Sequence, residues 1–138
     1  MPPVASDPRF EVDARLSPAQ VNAAYAWVDW PQREEWRLDA ISKRCTWFAA
    51  YGADESLLAV ARLLDDGGLH ASLWDLIVRA DHRRRGIGRR MVTLALDRCQ
   101  DRRLVTLVST PMAVPFFAAL GFAPESHGHV AMYLRPAP

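Results

Sequence analysis

The sequence predicts an α/β (α+β) fold in which helices flank one mixed central sheet, and three observations lead to this prediction. The chain has 138 residues, of which 50% are hydrophobic, enough for a single domain with a sizeable core. Apolar residues recur with strand-like and helix-like periods in turn along the chain. The run over residues 104–108 is nearly all apolar, which is typical of a parallel strand buried on both faces. We expect residues 1–138 to form one domain, with residues 1–8 as a loose, proline-rich tail.

A short strand and two helices are predicted at the start of the chain. The strand covers residues 9–14. Ser17-Pro18-Ala19-Gln20 then has the pattern of a capping box with proline at the first helical position. The helix that begins there carries its apolar side chains on one face: Val21, Ala24, Tyr25 and Val28. A second helix is expected over residues 32–43, with three side chains facing the core: Trp36, Ala40 and Ile41.

The rest of the chain is predicted to combine five strands with two further helices. Antiparallel strands are expected at residues 46–51, 57–64 and 69–78, with a hairpin turn at Asp65-Asp66-Gly67-Gly68. A helix over residues 88–100 is expected to face the core through Ile87, Met91, Leu94 and Ala95. After the strand over residues 104–108, a short helix covers 115–120 and ends at Gly121. The alternating residues 130–134 are predicted to form a last strand.

The overall composition excludes several classes of protein. A net charge of +1 argues against a general nucleic-acid-binding protein. No apolar run reaches the length of a membrane span, and residues 1–10 lack a signal-peptide pattern, so no membrane partner is expected. Cys45 and Cys99 have neither metal-ligand nor redox spacing, which indicates reduced core thiols in a cytoplasmic protein and no bound metal.

The most informative segment joins a strand to a helix through a turn rich in arginine and glycine. After the apolar residues 76–78 come three arginines at 83–85 and then Gly86-Ile87-Gly88, where an amphipathic helix begins. Backbone N–H groups converge at such a helix start, and glycine lets a ligand approach them closely. Arginine adds fixed positive charge and paired donors. The segment is therefore predicted to bind a pyrophosphate.

The spacing of this motif distinguishes among pyrophosphate sites. A Walker A loop needs lysine after its last glycine, whereas Arg89 follows Gly88, and the dinucleotide fingerprint needs a third glycine where Met91 stands. The pattern Arg83-x-x-Gly86-x-Gly88 instead resembles the acetyl-CoA-binding signature of the GNAT (GCN5-related) N-acetyltransferases. Phe116-Phe117-x-x-Leu120-Gly121-Phe122 resembles a second segment of that family.

Three further features resemble a subgroup of the family, small bacterial and plant plastid acetyltransferases of arylalkylamines and protein lysines. They are Ala61-Arg62-x-x-Asp65, Trp74-Asp75-x-x-Val78, and Met132 shortly after a glycine-containing loop. The resemblance implies the GNAT acyl-CoA N-acyltransferase fold, with parallel strands splayed at the CoA site. It also implies transfer of an acetyl group from acetyl-CoA to a primary amine of a small molecule, with protein lysine as the alternative acceptor. Because relatives often dimerise, a homodimer is a further expectation.

The resemblance also assigns the residues that bind acetyl-CoA. Pantetheine amides would pair with residues 76–78 as an added strand, and the pyrophosphate would rest on the amides of residues 84–89. The N–H of Val78 would polarise the thioester carbonyl, which makes Val78 a catalytic candidate. The expected cofactor-binding residues are Leu76, Ile77, Val78, Arg83, Arg84, Arg85, Gly86, Ile87, Gly88, Arg89, Thr110 and Phe117.

The acceptor amine must lose a proton before it attacks, and the family usually places the group responsible on the strand that holds Asp75. Asp75 is the first catalytic candidate because it is the only carboxylate there. Alternation places it on the face opposite Trp74 unless a bulge intervenes. A buried aspartate that ties down a loop or helix end is the alternative. Other candidate bases are His70, His127 and His129, and the expected substrate-binding residues are Trp30, Trp74 and His127.

Phe117 departs from the family pattern. The resemblance implies a tyrosine at this position, which would protonate the departing CoA thiolate, and phenylalanine has no proton to give. Either another group or water serves, or the thiolate leaves unassisted, or the protein is a non-catalytic acyl-CoA-binding module. Thr110 stands where many relatives have an asparagine that contacts CoA.

Overall fold

A five-stranded sheet lies at the centre of the computed structural model, which describes residues 7–124 and 127–137. The chain divides into two compact units, Met1–Val108 and Ser109–Pro138. The first unit contains β1 (Arg9–Val12), α1 (Pro18–Trp27), α2 (Glu35–Ser42), β2 (Thr46–Tyr51), β3 (Leu57–Asp65), β4 (His70–Val78), α3 (Ile87–Asp97) and β5 (Leu104–Leu107). The second contains α4 (Val114–Ala118). Residues 1–6 of the expected tail lie outside the described residues, and the single domain stays a prediction.

The strands follow the order of the sequence, from β1 at one edge to β5 at the other. Neighbours from β1 to β4 are antiparallel, whereas β4 and β5 are parallel and are connected through α3. Helix α3 packs on β2, β3 and β4, and α1 packs on β3 and β4. The mixed sheet with flanking helices is therefore confirmed.

Helix α1 forms as predicted, whereas α2 faces the core differently. The capping box is present, since Gln20 N–H donates to Ser17 Oγ at 3.2 Å and Ser17 N–H donates to Gln20 Oε1 at 2.9 Å. In α2 the buried side chain is Leu38, and the predicted inward positions of Trp36 and Ala40 are wrong. Residues two apart on a helix point to opposite sides, so burial of Leu38 turns both of them outward. Trp36 is 62% exposed and stacks on the Arg37 guanidinium.

Helix α3 buries a face slightly rotated from the predicted one. Buried residues recur every four positions, at Ile87, Met91, Ala95 and Cys99. Each such step turns about 40° around a helix of 3.6 residues per turn. The buried arc therefore drifts toward Val92, which is fully buried, while Leu94 at its other margin is only partly buried.

Two strand predictions near the end of the chain are wrong. β5 is not buried on both faces, because the helices of the first unit pack mainly on β2, β3 and β4, and Leu104 is exposed. Residues 130–134 form no strand, and the apolar side chains among them are exposed. Alternation gives strand propensity only, and a strand also needs a neighbour to satisfy its backbone. The described part of the second unit contains no strand.

Candidate active site

Strands β4 and β5 pair along only part of their length. Their parallel pairing runs from His70–Leu104 to Leu73–Leu107, and β4 then continues to Val78. Along its last five residues β4 has β3 on one side, and on the other side β5 no longer pairs with it. The splayed strands implied by the sequence are thus confirmed, and they leave one edge of β4 open.

The backbone of Val78 faces this open edge. Arg79 N–H donates to Leu58 O at 2.8 Å, which makes Leu58 and Arg79 a hydrogen-bonded pair of the antiparallel ladder. Such pairs alternate with non-hydrogen-bonded ones, so Ala59 and Val78 form the next, non-hydrogen-bonded pair. The N–H and C=O of Val78 therefore project away from β3. The carbonyl accepts a hydrogen bond from Arg83 Nε at 3.2 Å.

The turn between β4 and α3 collects further main-chain donors. Arg84 and Gly86 have left-handed backbones, with φ of 63° and 78°. The first internal bond of α3 runs from Arg90 N–H to Gly86 O at 3.0 Å, which leaves the N–H groups of Ile87, Gly88 and Arg89 without a helical partner. A Cβ built on Gly86 meets no protein atom within 4 Å among the described residues. The space beside these amides is open, as a pyrophosphate requires.

The arginines of the turn divide into engaged and unengaged side chains. Arg83 is held by the Val78 carbonyl, and Arg85 Nη1 lies 2.6 Å from His82 Nδ1. Arg79 makes a two-point ion pair with Asp81, which holds the pKa of that carboxyl below its ordinary value. Among the described residues, the exposed side chains of Arg84 and Arg89 have no hydrogen-bond or ion-pair partner. In the same part of the described chain, the exposed side chain of Arg90 also lacks such a partner, so three unengaged positive charges lie close to the free amides in sequence.

Asp75 lies in a β-bulge, which resolves the difficulty with strand alternation. Val60 pairs with Ile77 and Arg62 with Trp74, so Asp75 and Leu76 of β4 together oppose the single residue Ala61 of β3. Asp75 has a left-handed backbone with φ of 53°. The extra residue re-aims its carboxylate, which then meets side chains from α1 and β3.

Two donors hold the Asp75 carboxylate, and both bind the same oxygen. Tyr25 Oη donates to Oδ2 at 2.8 Å, and Arg62 Nε donates to Oδ2 at 2.9 Å. The side chains of Asp75 and Arg62 are only 12% and 14% exposed. Asp75 therefore connects α1 to the sheet, which is the structural alternative that the sequence left open.

The second oxygen of Asp75 remains available. Oδ1 accepts no hydrogen bond from the described residues, among which no buried polar side-chain atom lacks a partner. Oδ1 is consequently within reach of solvent. Burial and the charge of Asp75 raise the pKa of Tyr25 well above its ordinary value, so Tyr25 stays a donor at neutral pH. Asp75 therefore binds α1 and β3 through Oδ2, while its Oδ1 stays able to accept a hydrogen bond.

The tryptophans expected at the substrate lie in two environments. Trp30 is partly exposed, and its ring lies 5.6 Å from that of Tyr25, between centroids, which puts it beside the Asp75 cluster. Trp74 donates its indole N–H at 2.8 Å to Oγ of Ser72, which lies two residues back on the same face of β4. Tyr25 is buried, as the helical pattern of α1 predicts. Its bond to Asp75, fifty positions away, has no local signal in the sequence.

The remaining predicted site residues belong to the second unit, which is described by itself. Phe117 is partly buried between Phe116 and Phe122, with ring centroids 5.0 and 6.0 Å away. Thr110 precedes the turn Pro111–Ala113, and its carbonyl accepts from Ala113 N–H. His127 is exposed with φ of 51°. Their roles at the site stay predictions.

The described residues contain neither a membrane-spanning helix nor a cluster of metal ligands. None of their helices is long and apolar enough to cross a membrane. Their histidine, cysteine and carboxylate side chains form no group of three or more that could hold a metal ion.

Comparison with known proteins gives matches at the level of sequence and of structure. The sequence profile of the acetyltransferase (GNAT) family matches residues 13–122. The uncharacterized N-acetyltransferase ycf52 of Pyropia yezoensis is 27% identical over 86 residues, covering 61% of this chain and 49% of that protein. The histone acetyltransferase TAP1 of Glycine max is 25% identical over 122 residues, covering 79% of this chain and 53% of that protein. The chain thus spans about half the length of these curated relatives.

A solved structure resembles the whole fold. A GNAT family acetyltransferase from Streptococcus pneumoniae superposes with a TM-score of 0.81 at 23% identity, covering 96% of this chain and 100% of that one. At this level of identity the likeness establishes the fold. It agrees with the mixed five-stranded sheet and its flanking helices.

Proposed function

We propose that this chain, which belongs to the GNAT family of acetyltransferases, is an N-acyltransferase that transfers the acetyl group of acetyl-CoA to the primary amine of a small molecule. One observation carries this proposal. The open edge of β4, with the N–H of Val78 facing it, leads directly into a turn whose amides are free. Such an edge suits a pantetheine chain, and such a turn suits the pyrophosphate that follows it.

Acetyl-CoA would be held mainly by main-chain groups. Its pantetheine amides would add to the open edge of β4 as a further strand. The pyrophosphate would accept from the amides at the start of α3, where the helix dipole adds partial positive charge. Arg84 and Arg89, whose side chains are exposed, would supply charge to the same anion. Arg83 would instead keep the end of β4 in place through the Val78 carbonyl.

The transfer itself needs an oxyanion donor and a proton acceptor. The amine nitrogen attacks the thioester carbon, and the N–H of Val78 stabilises the negative charge that develops on its oxygen. Asp75 Oδ1 accepts the proton of the amine, directly or through water. The C–S bond then breaks, and the CoA thiolate takes a proton from solvent, because Phe117 has none to give.

A small amine is preferred as the acceptor because of the surroundings of Asp75. Tyr25 reaches the carboxylate through its hydroxyl, and the exposed Trp30 ring packs on the Tyr25 ring, which suits an amine attached to an apolar or aromatic group. Protein lysine is the second candidate. The similarity to a protein named as a histone acetyltransferase favours it.

The test is a turnover assay in which release of the CoA thiol is followed with acetyl-CoA as the donor. Arylalkylamines, aliphatic amines and lysine-containing peptides serve as acceptors. We expect saturable turnover with small amines and weaker turnover with peptides. Turnover with peptides alone would make the protein a lysine acetyltransferase. Tight binding of acetyl-CoA with no acceptor in either class would make it a non-catalytic binding module.

A further inference from the structure

The carboxylate of Asp75 is held by side chains from two other elements. Tyr25 reaches it from α1 and Arg62 from β3, at 2.8 and 2.9 Å. Arg62 is itself supported on its other side, because its guanidinium carbon lies 5.9 Å from the centre of the Trp47 ring. Arg62 therefore has a second contact, with β2, besides its bond to Asp75.

Both donors act on Oδ2 although a carboxylate offers two oxygens. Oδ1 accepts from no described residue and is not fully buried, although the Asp75 side chain as a whole is only 12% exposed. Asp75 also keeps a left-handed backbone, which non-glycine residues adopt only where their surroundings enforce it. Because both donors use Oδ2, the lone pairs of Oδ1 stay available to a further donor.

Other titratable groups near the cluster do not compete for the free oxygen. Cys45 lies close to Arg62 and Asp75, and burial raises the pKa of its thiol, so it stays neutral. Arg33 acts at longer range and influences Tyr25. Arg62 is therefore the cation that contacts Asp75 in the described part of the chain.

We infer that Tyr25 and Arg62 are positioning residues for Asp75, which hold its Oδ2 so that Oδ1 is presented to the acceptor amine or its water. This inference rests on the proposed role of Asp75 in the transfer. It assigns α1 a part in catalysis, because Tyr25 fixes the direction of the carboxylate. A misdirected base would still bind acetyl-CoA, since that cofactor is held by β4 and the following turn.

The test is a double-mutant cycle on kcat for the best small amine. Tyr25→Phe keeps the ring that packs on Trp30 and removes only the hydroxyl, so we expect kcat to fall about tenfold. The dissociation constant of acetyl-CoA should change by less than about twofold, because the bound cofactor does not touch Tyr25. In the Asp75→Asn background the same change should leave kcat unaltered, because no base remains to be positioned.

Arg62 is examined through a pair of variants. Arg62→Gln removes the charge and should lower kcat at least as much as Tyr25→Phe does. Arg62→Lys keeps the charge and should recover part of the loss, although its single ammonium cannot stack on Trp47 as a guanidinium does. Tyr51→Phe removes the hydroxyl of another buried tyrosine and should leave kcat unchanged.

The outcomes separate this inference from the proposed function. If Tyr25→Phe lowers kcat by the same factor in the parent protein and in the Asp75→Asn background, the hydroxyl acts independently of Asp75 and the inference is overturned. An Asp75→Asn variant as active as the parent protein overturns the role of Asp75, and the positioning roles with it. Failure of every small amine and peptide to be acetylated contradicts the proposed function itself.

Discussion

The turn before α3 and the bulge in β4 belong to one short stretch of chain, yet they offer their chemistry in different ways. The turn offers main-chain N–H groups, because Val78 faces an open strand edge and the first amides of α3 have no helical partner. The bulge offers one carboxylate, whose direction depends on Tyr25 and Arg62 from two other elements. The turn thus depends on residues adjacent in sequence, whereas the bulge depends on residues far away in sequence. Substitutions should therefore damage the two regions separately.

The largest effect is expected at the main-chain region. Replacing Gly86 and Gly88 together by leucine fills the space beside the free amides and forces a side chain onto the left-handed backbone at Gly86. The dissociation constant of CoA should rise by about a hundredfold or more, as several charge-assisted hydrogen bonds are lost. Isothermal titration calorimetry measures this dissociation constant.

Gly67 provides the matched control for this double variant. It has φ of +82°, close to the +78° of Gly86, and a Cβ there also meets nothing within 4 Å. Gly67→Leu should lower the melting temperature through the same backbone strain while leaving CoA affinity unchanged. Unchanged CoA affinity in the Gly86 and Gly88 variant would contradict the pyrophosphate site.

The next effect is expected at the bulge and should leave the turn intact. Asp75→Asn can still accept from Tyr25 through its amide oxygen but cannot take a proton. We expect kcat/KM for the amine to fall about a hundredfold, while the affinity for acetyl-CoA is retained. The loss should shrink as pH rises, because more of the amine is already neutral. The pH dependence of kcat/KM checks this.

Asp65→Asn is the control for the loss of a partly buried carboxylate. Asp65 forms an ion pair with Arg102, with side chains that are 22% and 11% exposed. This variant should lose stability without losing kcat/KM. If Asp75→Asn behaves the same way and keeps the parent pH profile, Asp75 is a tether and the base lies elsewhere.

The smallest effect is expected at Phe117, which neither region contains. Phe117→Tyr adds one hydroxyl to a ring that is only partly buried, so the structural cost should be small. If departure of the thiolate limits turnover, kcat should rise about several-fold, because the tyrosine hydroxyl can protonate the thiolate as it leaves. Steady-state kinetics measures this. A large loss of kcat with intact CoA affinity would show that an apolar group is required at residue 117.

The local parts of the site were predictable from the sequence. Gly86 and Gly88 follow an apolar strand and begin an amphipathic helix, so their spacing alone predicted the turn and its free amides. The separation of β4 from β5 followed from the resemblance to a known family. These features depend on hydrogen bonding within short segments, which sequence patterns record well.

The tertiary parts were predictable only in outline. Asp75 was recognised as an unusual carboxylate, but neither its partners nor the bulge that directs it could be deduced from alternation. Trp36 was assigned to the core because it is large and apolar, whereas burial of Leu38 decides which face of α2 turns inward. Residues 130–134 alternate like a strand without forming one. In each case the outcome depends on a neighbour that the local sequence does not specify.

The most direct test of the account is hydrogen exchange of the Val78 amide, followed by NMR with and without acetyl-CoA. In the ladder with β3, Ile77 N–H belongs to a hydrogen-bonded pair and Val78 N–H does not. Without cofactor, Val78 should exchange quickly and Ile77 slowly. Acetyl-CoA should slow exchange at Val78 by at least about tenfold, the effect of one added hydrogen bond, and leave Ile77 unchanged. Exchange at Val78 that is already slow, or is unaffected by acetyl-CoA, would contradict the proposed thioester site.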